Sequence, residues 1–168
     1  HRKGLTHRDI KPSNVIFVNE QPKLADVGLV TDIRPPAQIH TYVGTPGFMP
    51  PAPEPPGTVV ADLFALGMLL YVTSTGREPD FFPNLPATLV DRTGRIDFIQ
   101  LNAVILKACQ LDPARRYTSA AEMHAALQEV QKAMERADKE SPRGSVHYSN
   151  EKIPVESRSS SREIRTTW

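Results

Sequence analysis

Residues 7 to 14 read His7-Arg8-Asp9-Ile10-Lys11-Pro12-Ser13-Asn14, and they concentrate groups that can do chemistry. Asp9 is a candidate base. Lys11 sets a fixed positive charge two residues on, and Asn14 brings an amide that can hold a metal ion. An Asp, a Lys at +2 and an Asn at +5 suit a loop wrapped round one reaction centre, and Pro12 keeps the segment from being a continuous helix. A carboxylate and an amide carbonyl are hard oxygen ligands of the kind Mg²⁺ prefers. A second carboxylate, Asp26, follows twelve residues after Asn14, with Gly28 close behind to free the backbone that aims it.

Elements must bring these groups together. Val15-Ile16-Phe17-Val18 is a β-branched and aromatic run, Asn19-Glu20-Gln21-Pro22 is turn chemistry, and Lys23-Leu24-Ala25 leads into Asp26. Two short strands joined by a four-residue turn predict a hairpin that returns Asp26 to the side of Asn14. Residues 27–57 are rich in Pro, Gly and Thr and predict a long loop without regular structure. Ala61 to Thr75 leaves almost no polar face, which predicts a buried helix; Gly67 within it predicts close packing, and Gly76 its C-terminal cap. Residues 77–95 are a proline-rich connection. Phe98, Leu101, Ile105 and Ala108 mark one face of a helix from about Asp97 to Leu111, ended by Asp112-Pro113. Ser119 and Glu122 form a capping box before a stripe of Met123, Ala126, Leu127, Val130 and Met134 running to about residue 135. From Asp138 on, seven serines with mixed charges and few apolar residues predict a disordered tail.

The octapeptide resembles the catalytic loop of protein kinases, His-Arg-Asp-x-Lys-Pro-x-Asn, in the Lys-Pro-x-Asn form of the serine/threonine branch. Asp26-Val27-Gly28 stands where that family has Asp-Phe-Gly, with Val27 filling less volume than the Phe. Gly44-Thr45-Pro46-Gly47-Phe48-Met49 resembles its substrate-facing segment, Gly-Thr-x-x-Tyr/Phe-Met. The resemblance implies that Asp9 accepts or orients the proton of a substrate hydroxyl and that Lys11 sits near the transferred phosphate of ATP. It implies that Asn14 and Asp26 hold Mg²⁺ and that Thr45 hydrogen-bonds toward Asp9 and Lys11. Ala52-Pro53-Glu54 resembles the family's Ala-Pro-Glu, although Pro50-Pro51 leave a second register open with Ala52 in the place of the acid; Glu54 is preferred as the acid between Asp32 and Asp62. By the same resemblance Arg116 pairs with Glu54, Asp62 hydrogen-bonds the backbone of the catalytic loop, and His7 is structural support. Arg8 beside Asp9 is the pattern of kinases switched by loop phosphorylation, which makes Thr31, Thr41 and Tyr42 candidate phosphosites.

The 168 residues, 39% hydrophobic and 23% charged, are enough for one domain with a core. A formal charge of +1 gives no electrostatic case for nucleic-acid binding, and the longest apolar run, about residues 63–72, is too short to span a bilayer. The single cysteine, Cys109, forms no internal disulfide and favours a reducing compartment; a cytoplasmic location is expected, with any membrane anchor left to flanking sequence. The resemblance covers about residues 1–135, and its fold implication is the large, C-terminal lobe of the protein-kinase fold: mainly α with a short β-hairpin. Residues 136–168 are the expected disordered tail. A glycine-rich phosphate loop, the strand Val-Ala-Ile-Lys and the acidic partner of that lysine do not occur in these residues. Protein substrates, ATP and the N-terminal lobe of a parent kinase are therefore the expected partners, and a chain inactive alone is the expected behaviour. A non-catalytic binding module or decoy, and a decayed product without function, are the alternatives. Exposure of the apolar upper face, with poor solubility or self-association, is expected as well.

Overall fold

The computed structural model describes residues 1–33, 43–90 and 96–140. Those residues are mainly helical, with two small two-stranded pairings. Strands β2 (Val15–Val18) and β3 (Gln21–Leu24) form an antiparallel hairpin that pairs Val15 with Leu24 and Val18 with Gln21. Its turn has two residues rather than the four expected. Asn19 (φ 50°) and Glu20 (φ 62°) both adopt left-handed backbone, which gives the turn the hand that fits strand twist. Gln21 and Pro22 are thereby drawn into β3; proline is tolerated there because both strands of an isolated hairpin are edges.

A second pairing was not foreseen. Strand β1 (Leu5–Thr6) runs antiparallel to β4 (Thr31–Asp32), and a 3₁₀ turn covers Val27–Leu29. Residues 27–33 are therefore not the start of a structureless loop. The partner strand lies 25 residues back in sequence, so no local pattern announces it.

Helix α1 (Val59–Thr75) is the centre of the core and starts two residues earlier than expected. Thr58 Oγ1 accepts a hydrogen bond from the amide of Ala61 at 3.1 Å, and Gly76, at φ 67°, closes the other end. Leu63, Phe64, Met68 and Tyr71 are buried against Val104, Ile105 and Ala108 of α3 (Ile96–Ala108) and Met123 and Val130 of α4 (Ala120–Glu140). A Cβ on Gly67 would stand 2.7 Å from both the Ala108 Cβ and the Cys109 Sγ, so the helices meet there at a distance only glycine permits. A four-residue helix α2 (Ala87–Val90) lies inside the connection expected to be irregular.

Two helix ends differ from the sequence reading. Helix α3 stops at Ala108 instead of Leu111: the Gln110 amide turns to the Lys107 carbonyl (3.4 Å), Asp112 caps its own 3₁₀ turn, and beyond the helix end the carbonyls of Gln110 and Leu111 accept from the Arg116 guanidinium (2.7 and 3.3 Å). Helix α4 runs to Glu140, so residues 136–140, expected to belong to the tail, are helical. The capping box at its start is half formed. Ser119 Oγ accepts from the Glu122 amide at 3.1 Å, but the Glu122 carboxylate takes the amide and hydroxyl of Thr118 and the ammonium of Lys107. Among the described residues no helix is long and apolar enough to cross a membrane.

Candidate active site

The loop between β1 and β2 carries the first group of side chains. Arg8 takes a left-handed backbone (φ 69°), and Pro12 opens a 3₁₀ turn over Pro12–Asn14, where its fixed φ is at home. Together these bends curl residues 9–14 round a buried Asp9. Both carboxylate oxygens of Asp9 are engaged. Thr45 Oγ1 donates to Oδ1 at 2.6 Å, while Lys11 Nζ (2.8 Å) and Asn14 Nδ2 (3.0 Å) reach Oδ2. Lys11 Nζ also donates to Thr45 Oγ1 at 2.8 Å, closing a ring of Asp9, Lys11 and Thr45. Burial pushes the Asp9 carboxyl up; the hydrogen bonds from Lys11, Thr45 and Asn14, with the charge of Lys11, outweigh it and hold the pKa below the ordinary 3.8. Asp9 is ionised at neutral pH.

Thr45 arrives from a distant segment, and Gly44 is what lets it approach. Gly44 has φ 155°, and a Cβ there would stand 3.0 Å from the Arg8 carbonyl oxygen and 2.8 Å from the Met49 side chain. Only a bare backbone can pass so close to the loop that holds Asp9.

Asp62, in the first turn of α1, supports the loop from below. It is 2% exposed, and its carboxylate accepts the amides of His7 (2.7 Å) and Arg8 (2.9 Å). Burial raises its pKa above 3.8, against the lowering effect of those two amides. His1 Nε2 lies 2.9 Å from the same carboxylate, a contact across 61 residues that no sequence pattern signals. His7 Nε2 is 3.2 Å from the Ala25 carbonyl, while its buried Nδ1 has no hydrogen-bond partner among the described residues. The Ala25 amide in turn donates to the Asn14 carbonyl at 2.8 Å, which ties the residue before Asp26 to the loop.

Asp26 has a left-handed backbone (φ 61°) and an exposed side chain whose Oδ1 accepts from the Gly28 amide at 3.2 Å. The donor chemistry fits a hard cation. Asn14 Nδ2 spends its two hydrogens on the Asp9 carbonyl oxygen (2.8 Å) and carboxylate, which leaves the amide oxygen as a ligand, and Asp26 adds an accessible carboxylate. Among the described residues there is no cluster of three or more His, Cys, Asp or Glu that would form an all-protein metal cage. One carboxylate and one amide suit an ion that takes its remaining ligands from phosphate and water.

Farther off, the Glu54 carboxylate meets the Arg116 guanidinium in a two-pronged pair, Oε1 to Nη1 at 2.8 Å and Oε2 to Nη2 at 2.6 Å. The Arg116 side chain is fully buried and also lies 4.8 Å over the Phe64 ring. Thr31 sits in β4, where its carbonyl faces the Thr6 hydroxyl at 3.4 Å. Thr41 and Tyr42 lie outside the described residues.

A buried, ionised aspartate ringed by a lysine, an asparagine and a threonine, with a second acid returned by a hairpin, is equipment for moving a proton beside a highly charged group. The protein kinase domain model matches residues 1–129, and the chain belongs to that family. Its relatives among curated proteins include serine/threonine kinases. Serine/threonine-protein kinase D of Synechocystis is 35% identical over 141 residues, covering 76% of this chain and 28% of that protein. PknB of Mycobacterium leprae is 33% identical over 144 residues, covering 76% and 23%. The chain thus spans about a quarter of the length of these relatives. A solved structure of the ROP18 kinase domain in complex with AMP-PNP and sucrose is similar in fold, with a TM-score of 0.56 at 22% identity over 81% of this chain and 38% of that one.

Proposed function

We propose that these residues form the large, C-terminal lobe of a serine/threonine protein kinase, which transfers the γ-phosphate of ATP to Ser or Thr hydroxyls of protein substrates. The observation that carries this reading is the Asp9 carboxylate held on both oxygens by Thr45, Lys11 and Asn14. Held this way, Asp9 is fixed in direction and ionised, so it can orient a substrate hydroxyl and take its proton as the oxygen attacks. Lys11 keeps a positive charge beside Asp9, where it favours the crowding of negative oxygens in phosphoryl transfer. Asn14 and Asp26 would hold Mg²⁺, which when bound neutralises charge on the nucleotide phosphates.

The glycine-rich loop and strand lysine that would cover a nucleotide are absent from these residues. Productive transfer needs its groups placed to within about an ångström, so the 168-residue chain by itself transfers phosphate negligibly. The test is phosphorylation of a generic protein substrate from labelled ATP, by the chain alone and by the chain fused behind the small lobe of a serine/threonine kinase. The fusion transfers phosphate and Asp9→Asn abolishes it. Transfer that survives Asp9→Asn, or robust transfer by the chain alone, overturns the proposal. A non-catalytic binding module is the second reading, favoured by the exposed apolar side chains of Phe17 in the hairpin and Val27 in the 3₁₀ turn after it, 73% and 74% exposed. A folded fusion with no transfer would support it.

A further inference from the structure

Four prolines gather at the foot of α1. Pro51, Pro53 and Pro55 come from the segment that leads into the helix, and Pro113 from the 3₁₀ turn that follows α3. With Val60 from the first turn of α1 and Leu111 they line a cleft of about 590 Å³. Leu111 is 78% exposed, more than any other large apolar side chain among the described residues.

The polar groups of this wall are already engaged. Arg116 holds the Glu54 carboxylate, and Thr58 Oγ1 accepts from the Ala61 amide. Among the described residues no lysine or arginine lines the cleft. A charged occupant would leave water and meet no opposite charge to replace it. Proline offers a carbonyl acceptor and no N–H donor. The cleft therefore suits a large apolar ring whose polar atom only donates, and that describes an indole.

The chain has one tryptophan, Trp168. Ile164 stands four residues before it, and the rest of residues 157–168 are Ser, Thr, Arg and Glu. Reach is not limiting. Helix α4 begins at Ala120, seven residues beyond Pro113, and its 21 residues give a rod about 30 Å long. The 28 residues from 141 to 168 can span roughly 90 Å when extended. Joined to the cleft through its own chain, Trp168 is present at an effective concentration on the order of 1 mM. A cleft that binds it with a dissociation constant of only about 0.1 mM is then filled about tenfold more often than empty.

We infer that the proline-lined cleft at the foot of α1 is the docking site of residues 157–168 of the same chain, with the Trp168 indole as the anchor. The docked segment lies against the loop that carries Glu54 and slows its opening. Docking requires nothing of Asp9, so it holds or fails apart from the kinase reading.

Trp168 is the only indole, so fluorescence of the full 168-residue chain, excited beyond the tyrosine band, reports on it alone. Its emission is blue-shifted from that of free tryptophan and shielded from acrylamide, equally at every protein concentration. Leu111→Glu, at an exposed side chain, returns both to the values of a free indole with the helical spectrum unchanged. Phe17→Ser with Val27→Ser, at the other exposed apolar patch, changes neither. A second measurement is hydrogen–deuterium exchange at the Glu54 amide, which donates to the Pro51 carbonyl at 3.2 Å. It is faster in Trp168→Ser than in the wild type, and it decides alone should Leu111→Glu fail to fold. A free indole in the wild-type chain overturns the inference. So does shielding that Leu111→Glu leaves intact, shielding that Phe17→Ser with Val27→Ser abolishes, or Glu54 exchange that is the same with and without Trp168. Shielding that appears only as concentration rises overturns it as well, since the occupant then comes from a second copy.

Discussion

The Asp9 carboxylate is set by its three donors, and the Thr45 hydroxyl, at 2.6 Å, is the shortest of those contacts. Thr45→Val keeps the shape and removes the donor, so the Asp9 pKa rises. The sign for stability follows. A carboxyl lowered below 3.8 stabilises the folded chain above that pH, and the gain is lost as pH falls through the folded value. Thr45→Val shrinks that acid-side loss, and a carboxyl-carbon NMR titration of Asp9 reads the shift directly. The Glu54–Arg116 pair gives a larger effect. Glu54→Ala leaves a guanidinium that is 0% exposed without its anion, and urea unfolding should show a loss of about 3–5 kcal/mol. At this scale much was legible. Asp9, Lys11 and Asn14 lie within six residues, and the structure brings Thr45 to them and Glu54 to Arg116. What sequence could not supply are contacts such as His1 with Asp62, where nothing in the residue types marks one side chain as the neighbour of the other.

The elements were legible where a local pattern decides them. The all-apolar run of α1 and the stripe of α4 announced themselves by period, and Gly76 marked where α1 ends. Boundaries failed where a distant group competes for backbone. The Arg116 guanidinium holds the carbonyls of Gln110 and Leu111 just past the end of α3, and β1 captures residues 31 and 32 for a pairing invisible in 27–57. Gly67 shows the opposite, a local cost with a tertiary reason. In an exposed helix Gly→Ala gains about 1 kcal/mol. Here the added methyl would stand 2.7 Å from Ala108 and Cys109, side chains pinned in the core. Gly67→Ala is therefore expected to destabilise by about 1–3 kcal/mol, the range for overpacking, and a thermal melt compared with an alanine substitution at an exposed helix position checks it.

On the scale of the whole molecule the hairpin is the anomaly. Ile16, Phe17, Val18 and Leu24 are all exposed on this one hairpin, with Val27 exposed in the 3₁₀ turn that follows it, while the core lies between α1, α3 and α4. Such a patch favours association. Sedimentation of the chain should show concentration-dependent oligomers, and Phe17→Ser with Val27→Ser should shift it toward the monomer without changing the helical spectrum; a wild-type chain that stays monomeric at high concentration refutes this. The apolar character of the hairpin could be read from Val15-Ile16-Phe17-Val18, and an exposed apolar upper face is expected because small-lobe motifs do not occur in these residues; strand composition by itself is the same for a covered strand and a bare one.

Asp62 has a consequence beyond support. The amides of His7 and Arg8 belong to an irregular, half-buried loop, yet both are bonded to a carboxylate that is 2% exposed in the central helix. They can open only when the first turn of α1 gives way. Hydrogen–deuterium exchange should therefore find these two loop amides as slow as those of α1 itself, with one shared opening free energy. Asp62→Ala should release both together. The residues that prepare Asp9 thus keep time with the core, although no regular element holds them.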